Sequence, residues 1–274
     1  MAVPTKKIKA GFFHSFMFGV ILAILFPLLW MVLVSIRPAD QVFGASLFFS
    51  TSFSLESYKQ VFEQRPLGVW MMNTAVVSIL QTAGQVMIAI FAAFAFSYFR
   101  FPGRDVLFYF VLVTMIVPLQ ALMVPTYLIV DTMGWLNSFA AVIVPTLASG
   151  YAIFLMRQFF LQVPKELTEA AKMDGCGPLR ILRNIYLPVS IPAITALSAI
   201  LFVTNWNEYY WPLLVLTDEM KQVLPVAITS FTNEGIVDWG PTMAVATLTV
   251  LPVMVLYFFL QKNFVESFSQ SGLK

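Results

Sequence analysis

Along this chain the charged residues fall into clusters, and long uncharged stretches separate them. No Asp, Glu, Lys or Arg lies between Lys9 and Arg37, Arg65 and Arg100, Asp105 and Asp131, Asp131 and Arg157, Arg183 and Glu208, or Asp238 and Lys262. Each interval holds the roughly 20 apolar residues that a helix needs to cross a hydrocarbon core. The pattern predicts six spanning helices, at about 14–36, 70–98, 106–130, 137–157, 190–214 and 240–261. A closed β-barrel is the other way to span a bilayer, but it calls for strands of roughly ten residues with alternating polarity. These runs are solidly apolar, so the expected fold class is an all-α membrane protein, one transmembrane domain over residues 1–274.

The segments differ in texture. The second is rich in small residues (TAGQVMIAIFAAFAFS), as close packing of helices in lipid requires. The third contains Pro118 and Pro125 on either side of Gln120, which predicts a kink whose freed carbonyls need other partners. It joins the fourth through the short turn DTMGWLNS, while longer outer stretches cover about 37–69 and 217–241. No internal repeat, low-complexity tract or second domain is visible in the pattern.

Composition adds the solvent and the orientation. Of 274 residues, 59% are hydrophobic and 11% charged, with mean hydropathy +0.82. A soluble domain carries about 25% charged residues, so much of this surface faces lipid. The net charge of +2 is small and scattered, which argues against a nucleic-acid partner. With the N-terminus inside, twelve basic residues fall on the cytoplasmic side: Lys6, Lys7, Lys9, Arg100, Arg104, Arg157, Lys165, Lys172, Arg180, Arg183, Lys262 and Lys274. Four fall outside, Arg37, Lys59, Arg65 and Lys221. This asymmetry places both termini in the cytoplasm. The first run is longer than a signal-peptide core and lacks a small-x-small site at its end, so it reads as a retained helix. The lone Cys176 has no partner for an internal disulfide and no ligand cluster around it; it reads as incidental.

One wet stretch stands out, EAAKMDGCGPLRILRNIYLP at 169–188, inside a cytoplasmic loop of about 157–191. QVPKELTEAAKMDG predicts a helix that starts after Pro164 and ends at Gly175. A second short amphipathic element follows, with Leu179, Leu182 and Ile185 on one face and Arg180 and Arg183 on another. The result is a helix–turn–helix hairpin along the inner membrane surface. Its small residues Ala170, Ala171 and Gly175 let another surface approach closely.

Glu169-Ala170-Ala171, then Gly175, Ile185 and Leu187-Pro188 at these spacings resemble the EAA loop of binding-protein-dependent ABC import permeases. FRFPGR after the second segment, NWNEYYWPL in the fifth and the tail FVESFSQSGLK resemble the smaller permease subunit of carbohydrate importers of the maltose-transporter type. The likeness runs over about residues 10–274. It implies a type I importer fold in the cytoplasmic (inner) membrane and a coupling hairpin that docks into a cleft of a cytoplasmic ATPase. It also implies a second permease as heterodimer partner, two ABC ATPase subunits and an extracytoplasmic solute-binding protein. The implied substrate is a mono- or oligosaccharide, with glycerol-3-phosphate or another polyol phosphate as the alternative. No G-x-x-x-x-G-K-[ST] and no Gly-Lys pair occurs, so no cofactor is expected on this chain, and ATP and Mg belong to the partner ATPase. Gly175-Cys176-Gly177 lacks the third glycine and the preceding strand of a dinucleotide loop. The tail departs from the family, with Ser267 and Ser271 where two glycines are usual.

The fifth segment supplies the other candidates. Thr204, Asn205, Trp206, Asn207, Glu208 and Trp211 put polar and aromatic groups where lipid favours Leu. On one reading they anchor the helix at headgroup level. On the other they line the translocation pathway, with Thr204, Asn207, Glu208 and Trp211 as a stripe at helical spacing suited to sugar stacking and hydroxyl binding. Asn73 and Gln120 read as interhelical hydrogen-bonding groups, and His14 as structural. No H-E-x-x-H, Cys/His cluster or elbow serine with partners occurs, so an enzyme is not expected. An ion-coupled secondary carrier is the alternative of another class; Glu208 is the lone intramembrane acid that would serve it.

Overall fold

The computed structural model describes residues 4–38, 41–42, 52–233 and 236–271. Residues 39–40 and 43–51 of the stretch expected as the first outer loop, and the last three residues of the tail, lie outside the described residues. Among the described residues the regular structure is helical, apart from a two-residue antiparallel ladder pairing Thr232–Asn233 with Ile236–Val237. In order come α1 (Pro4–Ser35), α2 (Glu56–Gln64), α3 (Leu67–Tyr98), α4 (Arg104–Thr114) and α5 (Leu119–Thr132). Then follow α6 (Phe139–Ile143), α7 (Gly150–Phe160), α8 (Lys165–Met173), α9 (Pro178–Ile181) and α10 (Leu187–Val189). The last are α11 (Ile191–Trp206), α12 (Tyr210–Val215), α13 (Leu224–Ala227) and α14 (Trp239–Ser271).

Among the described residues, three helices are long and apolar enough to cross a membrane unbroken, over Phe13–Ser35, Leu67–Tyr98 and Trp239–Phe259. Three bent pairs raise the count to six. The third expected span is α4 and α5, set at 99°. Pro118 sits in extended backbone as the N-cap of α5, because a proline neither donates to the turn before it nor tolerates helix there. The expected kink is thus a full break, while Pro125 is accommodated inside α5. The fourth span bends by 44° between Thr146 and Gly150. The fifth differs most from expectation. The run 190–214 is not one helix: α11 ends at Trp206, α12 starts at Tyr210, and a 78° bend precedes α11 at Ser190.

The chain divides into two compact units. One comprises Met1–Leu67 and Ala227–Leu251. In it Ser35 Oγ lies 2.9 Å from the Tyr58 hydroxyl, and Arg37 donates to the Ser52 carbonyl at 2.7 Å. Trp30 meets Trp239 edge-on, and Val34, Val42, Trp30 and Met243 form a small apolar cluster.

The second unit comprises Gly68–Val226 and Pro252–Lys274. One apolar cluster gathers Ala89, Phe94, Met156, Phe160, Ile181, Tyr186 and Leu197; another gathers Val77, Val130, Val142, Trp211 and Val215. Gly150 lets α7 close on α4, since a Cβ there would lie 2.8 Å from Thr114 Oγ1 and 3.0 Å from the Val111 carbonyl. Arg157 stacks over Phe108 at 4.0 Å and reaches Asp105 at 3.9 Å, tying α7 to α4. The short turn between α5 and α6 places Gly134 and Asn137 at positive φ, 67° and 60°, a region that glycine and asparagine visit most readily. Its Asn137 and the segment after α12 are joined by Asn137 Oδ1 accepting from the Asp218 N–H and by Lys221 Nζ donating to the Asn137 carbonyl.

Candidate functional site

The polar stretch folds as a hairpin of α8, a turn, and α9 continuing through a π-helical segment into α10. The turn is closed by two backbone bonds, Gly175 N–H to the Lys172 carbonyl at 3.0 Å and Cys176 N–H to the Ala171 carbonyl at 2.9 Å. This is the Schellman arrangement, which needs a left-handed residue just past the helix. Gly175 supplies it at φ 74°, and the space where its Cβ would lie is open. The glycine therefore serves backbone conformation, not crowding. Cys176, expected as incidental, packs with Ala171 against the apolar cluster around Tyr186.

The second half of the hairpin corrects the expected face. Leu179 is 71% exposed, while Ile181, Leu182 and Tyr186 are buried and Ile185 is half-buried. The Leu182–Tyr186 segment is π-helical, so residues five apart stack, and Ile181 and Tyr186 come onto one side. The widening lies just before Pro188, which has no N–H to return to the preceding turn. Tyr186 packs edge-on against both Phe94 and Phe160 at 5.1 Å. Lys172 lies 4.7 Å over the Tyr98 ring. These contacts anchor one side of the hairpin on α3 and α7. The other side carries exposed Glu169, Ala170, Gly175, Pro188, Arg180 and Arg183, with Leu187 half-buried, and exposes Leu167, Met173 (88%) and Leu179.

The fifth-segment candidates do not form one stripe. Because α11 stops at Trp206, Thr204 lies on the helix, Asn207 and Glu208 lie in the break, and Trp211 lies in the first turn of the next helix. Their side chains are used locally. Thr204 Oγ1 donates to the Ile200 carbonyl, and Asn207 Nδ2 donates to the Val203 carbonyl at 2.8 Å, closing the last turn of α11. Glu208 Oε1 accepts from the Trp211 N–H at 3.2 Å, capping the start of α12. Trp211 is buried and donates from Nε1 to the Ala141 carbonyl at 3.0 Å. Trp206 is 2% exposed and packs against Phe202. Only Thr204 and Asn207 are exposed.

Asn205 reveals a network that the sequence reading missed. Its Nδ2 donates to Thr82 Oγ1 at 3.1 Å and to Gln85 Oε1 at 3.0 Å. Gln85 Nε2 donates to the Thr146 carbonyl, and Gln81 Nε2 donates to Thr146 Oγ1 and the Val142 carbonyl. Thr74, Ser78, Gln81, Thr82 and Gln85 are all buried on α3. Two amides one helical turn apart in an apolar run were the available signal, since polar groups in a span seek partners on neighbouring helices. Asn73, expected to bond between helices, bonds the connecting segment after α12 instead: its Nδ2 reaches the Met220 and Gln222 carbonyls, each at 2.9 Å. Gln120 and His14 are exposed.

Comparison with known proteins places these features. Residues 85–270 match the family described as binding-protein-dependent transport system inner membrane component. The sn-glycerol-3-phosphate transport system permease protein UgpE of Salmonella typhi is 36% identical over 208 residues, 75% of this chain and 74% of that one. The UgpE of Escherichia coli O1:K1 / APEC is 31% identical over 269 residues, 95% of this chain and 96% of its own. In fold, the chain is similar to a bacterial ABC transporter involved in import of the acidic polysaccharide alginate. That match has a TM-score of 0.83 at 23% identity and covers 96% of this chain and 99% of that one. A bacterial alginate ABC transporter in complex with an alginate pentasaccharide-bound periplasmic protein superposes at TM-score 0.69 and 15% identity, over 93% and 94% of the two chains. The span count, the hairpin and these matches agree, and the chain belongs to the family of binding-protein-dependent transport system inner membrane components.

Proposed function

We propose that this chain is one of two permease subunits of an ATP-driven importer for a small hydroxylated solute, a sugar or sn-glycerol 3-phosphate. The observation that carries the reading is the two-sided hairpin. One side is anchored by Ile181, Leu182 and Tyr186, and the other shows Glu169 and Ala170 beside exposed Leu167, Met173 and Leu179. An element fixed on one side, with charged and small residues beside exposed apolar ones on its free side, is built to push against, or be pushed by, a partner. In this reading Glu169, Ala170, Ala171, Gly175, Ile185, Leu187 and Pro188 form or support the surface that meets an ABC ATPase pair. ATP and Mg are bound there and not on this chain. An extracytoplasmic binding protein delivers solute to the opposite face, and the twelve-to-four basic asymmetry supports cytoplasmic termini. The exposed Thr204 and Asn207 are the pathway-facing members of the fifth-segment set; Asn205, Trp206, Glu208 and Trp211 hold the break that presents them.

The relatives favour the phosphorylated solute, since they are sn-glycerol-3-phosphate transport system permeases at 36 and 31% identity. The test is uptake by vesicles carrying the co-expressed transporter, loaded with ATP or with a non-hydrolysable analogue. ATP-dependent accumulation of labelled sn-glycerol 3-phosphate, competed by unlabelled solute, is the expected result. Accumulation of a sugar alone would move the substrate, and uptake indifferent to ATP hydrolysis would overturn the reading. Orientation is checked with Cys176 replaced: a cysteine at Leu179 should react with impermeant thiol reagents only from inside, and one at Met220 from outside.

A further inference from the structure

Where α3 leaves its span at Tyr98, a short turn leads into α4, and a pocket of about 390 Å³ opens beside it. That lies within the roughly 300–1,000 Å³ of small-ligand sites. Arg100, Phe101, Gly103, Arg104, Asp105 and Val106 line it. Phe101 and Phe108 both meet Phe96 on α3. Phe96 is two residues, roughly 200° of helix, from Phe94 and from Tyr98, and those two rings carry the hairpin. The turn and its Phe101 therefore pack on a different side of α3 from the surface assigned to the ATPase.

The charges of this corner do not balance. Asp105 Oδ1 accepts from Arg104 Nε at 3.0 Å and lies 3.9 Å from Arg157 Nη2, so two guanidiniums share one carboxylate oxygen. Arg104 Nη1 donates to the Phe99 carbonyl at 3.4 Å, which leaves its Nη2 free. Arg100 is exposed, and among the described residues it makes no ion pair or side-chain hydrogen bond. Three guanidiniums thus stand against one carboxylate at the end of a membrane span. The adjoining surface is apolar: Val106, Leu107 and Phe110 on α4 are each more than half exposed, and Val106 and Phe110 share a face one turn apart. Excess guanidinium beside a bare apolar helix face matches a molecule with an anionic head and an apolar tail. Arginine holds phosphate through paired N–H donors, and basic pockets between spanning helices on the cytoplasmic side bind anionic head groups. The twelve-to-four basic asymmetry supports the cytoplasm for this end. A soluble phosphate would use the charge and leave the apolar face bare.

We propose that this pocket seats the head group of an anionic phospholipid, its phosphate on Arg100 and Arg104 and its acyl chains along Val106 and Phe110. The site depends on the membrane span alone and not on which solute is carried. The test uses the complete transporter, purified with its co-expressed partners, and counts retained lipids by native mass spectrometry. Phosphatidylglycerol and phosphatidylcholine with the same chains are titrated separately. The wild type should retain at least one phosphatidylglycerol that phosphatidylcholine does not replace, and should release it as salt rises. Arg100→Gln should raise the half-saturating phosphatidylglycerol concentration about fivefold, the factor that one surface cation contributes. Changing Arg104→Gln as well should remove that lipid from the count. Arg100→Lys keeps the charge and should recover part of the affinity. Lys59→Gln neutralises an exposed lysine of α2 and should change nothing. If the double variant does not assemble, Arg100→Gln decides the matter, because that side chain holds no internal bond. Equal titration of wild type and Arg100→Gln, equal retention of the two lipids, or a matching shift in Lys59→Gln overturns the proposal. So does displacement of the lipid by millimolar inorganic phosphate or sn-glycerol 3-phosphate, which would make this a site for soluble phosphate. Loss of the ATPase from Arg100→Gln with lipid retention unchanged would also overturn it and give the pocket to a protein partner.

Discussion

The α8–α10 hairpin and the break between α11 and α12 are the two places where the hydrophobic pattern of this chain gives way, and they resolve in opposite ways. At the hairpin the charged and small residues Glu169, Ala170, Arg180 and Arg183 face outward, and the apolar residues Ile181, Leu182 and Tyr186 anchor it from behind. At the break the polar residues turn inward or back on the backbone: Asn205 bonds α3, Glu208 caps α12 and Asn207 closes α11. In the proposed coupling role, these outward polar residues belong to the surface that meets another protein. Polar residues bonded to neighbouring helices or to the backbone inside a span mark a joint that holds the helices in place. The difference also bears on the carrier alternative. Glu208, the lone acid that an ion-coupled carrier would use, serves as a helix cap here, and the family is one of binding-protein-dependent importers.

The largest effect is expected at the turn of the hairpin. Gly175→Val puts a β-branched residue at φ 74°, at a cost of order 1–3 kcal/mol, and should rearrange the docking surface. ATP-driven uptake should fall to near background, while the chain still inserts and pairs with its companion. Because no atom crowds the missing Cβ, Gly175→Asn should retain most of the activity; asparagine visits this region. Glu169→Lys reverses an exposed charge and should also reduce recovery of the ATPase on co-purification. Normal uptake in both Gly175→Val and Glu169→Lys would reduce the hairpin to an ordinary loop.

Next in size is the anchor. Tyr186→Ala removes a ring packed on Phe94 and Phe160, a loss of about 3–5 kcal/mol by analogy with buried Phe. The hairpin should loosen locally, so limited proteolysis should cut sooner around the Asp174–Gly177 turn. Tyr186→Phe keeps the ring and should leave cleavage unchanged. Equal protection of wild type and Tyr186→Ala would show that the anchor lies elsewhere.

The joint should respond differently, through coupling between partners. Gln85→Leu leaves the Asn205 amide short of an acceptor and should cost about 1–3 kcal/mol. Adding Asn205→Leu removes the stranded group, so the pair should cost less than the sum of the single changes. Thermal unfolding of the purified transporter measures all three variants. Strict additivity would mean that the contact carries no net energy.

The hairpin was legible in the sequence to an unusual degree. Its two arms and the helix end at Gly175 follow from punctuation by Pro164, Gly175 and Pro188 in a stretch too polar to span. Its inner face was not legible, since the π-segment shifts the phase and exchanges Leu179 for Ile181 on the buried side. Hydrophobic periodicity read at helical spacing cannot show a local change of pitch. Six apolar runs were equally plain, yet the 99° break at Pro118 and the end of α11 at Trp206 exceeded what the pattern implied. A run can stay apolar through a bend when neighbouring helices and side chains satisfy the freed backbone groups. The Gln81–Gln85–Asn205 network was visible only as three scattered amides, because pairing across 120 positions leaves no local mark.

The smallest effect separates the two roles that remain open at the break. Asn207 is exposed, and its Nδ2 closes the end of α11 on the Val203 carbonyl at 2.8 Å. Asn207→Ala removes that single bond, worth about 1 kcal/mol, so the unfolding temperature should fall slightly and the complex should assemble. If Asn207 also faces the solute, the same change withdraws a hydrogen bond from a passing hydroxyl or phosphate oxygen. Half-saturating solute should then rise several-fold in ATP-driven uptake, with the maximal rate little altered. Asn207→Gln offers the same amide one methylene farther out and should recover part of the affinity. An unchanged solute dependence in Asn207→Ala would assign this residue to the joint alone, and the contrast between an outward-facing hairpin and an inward-bonded break would be sharper still.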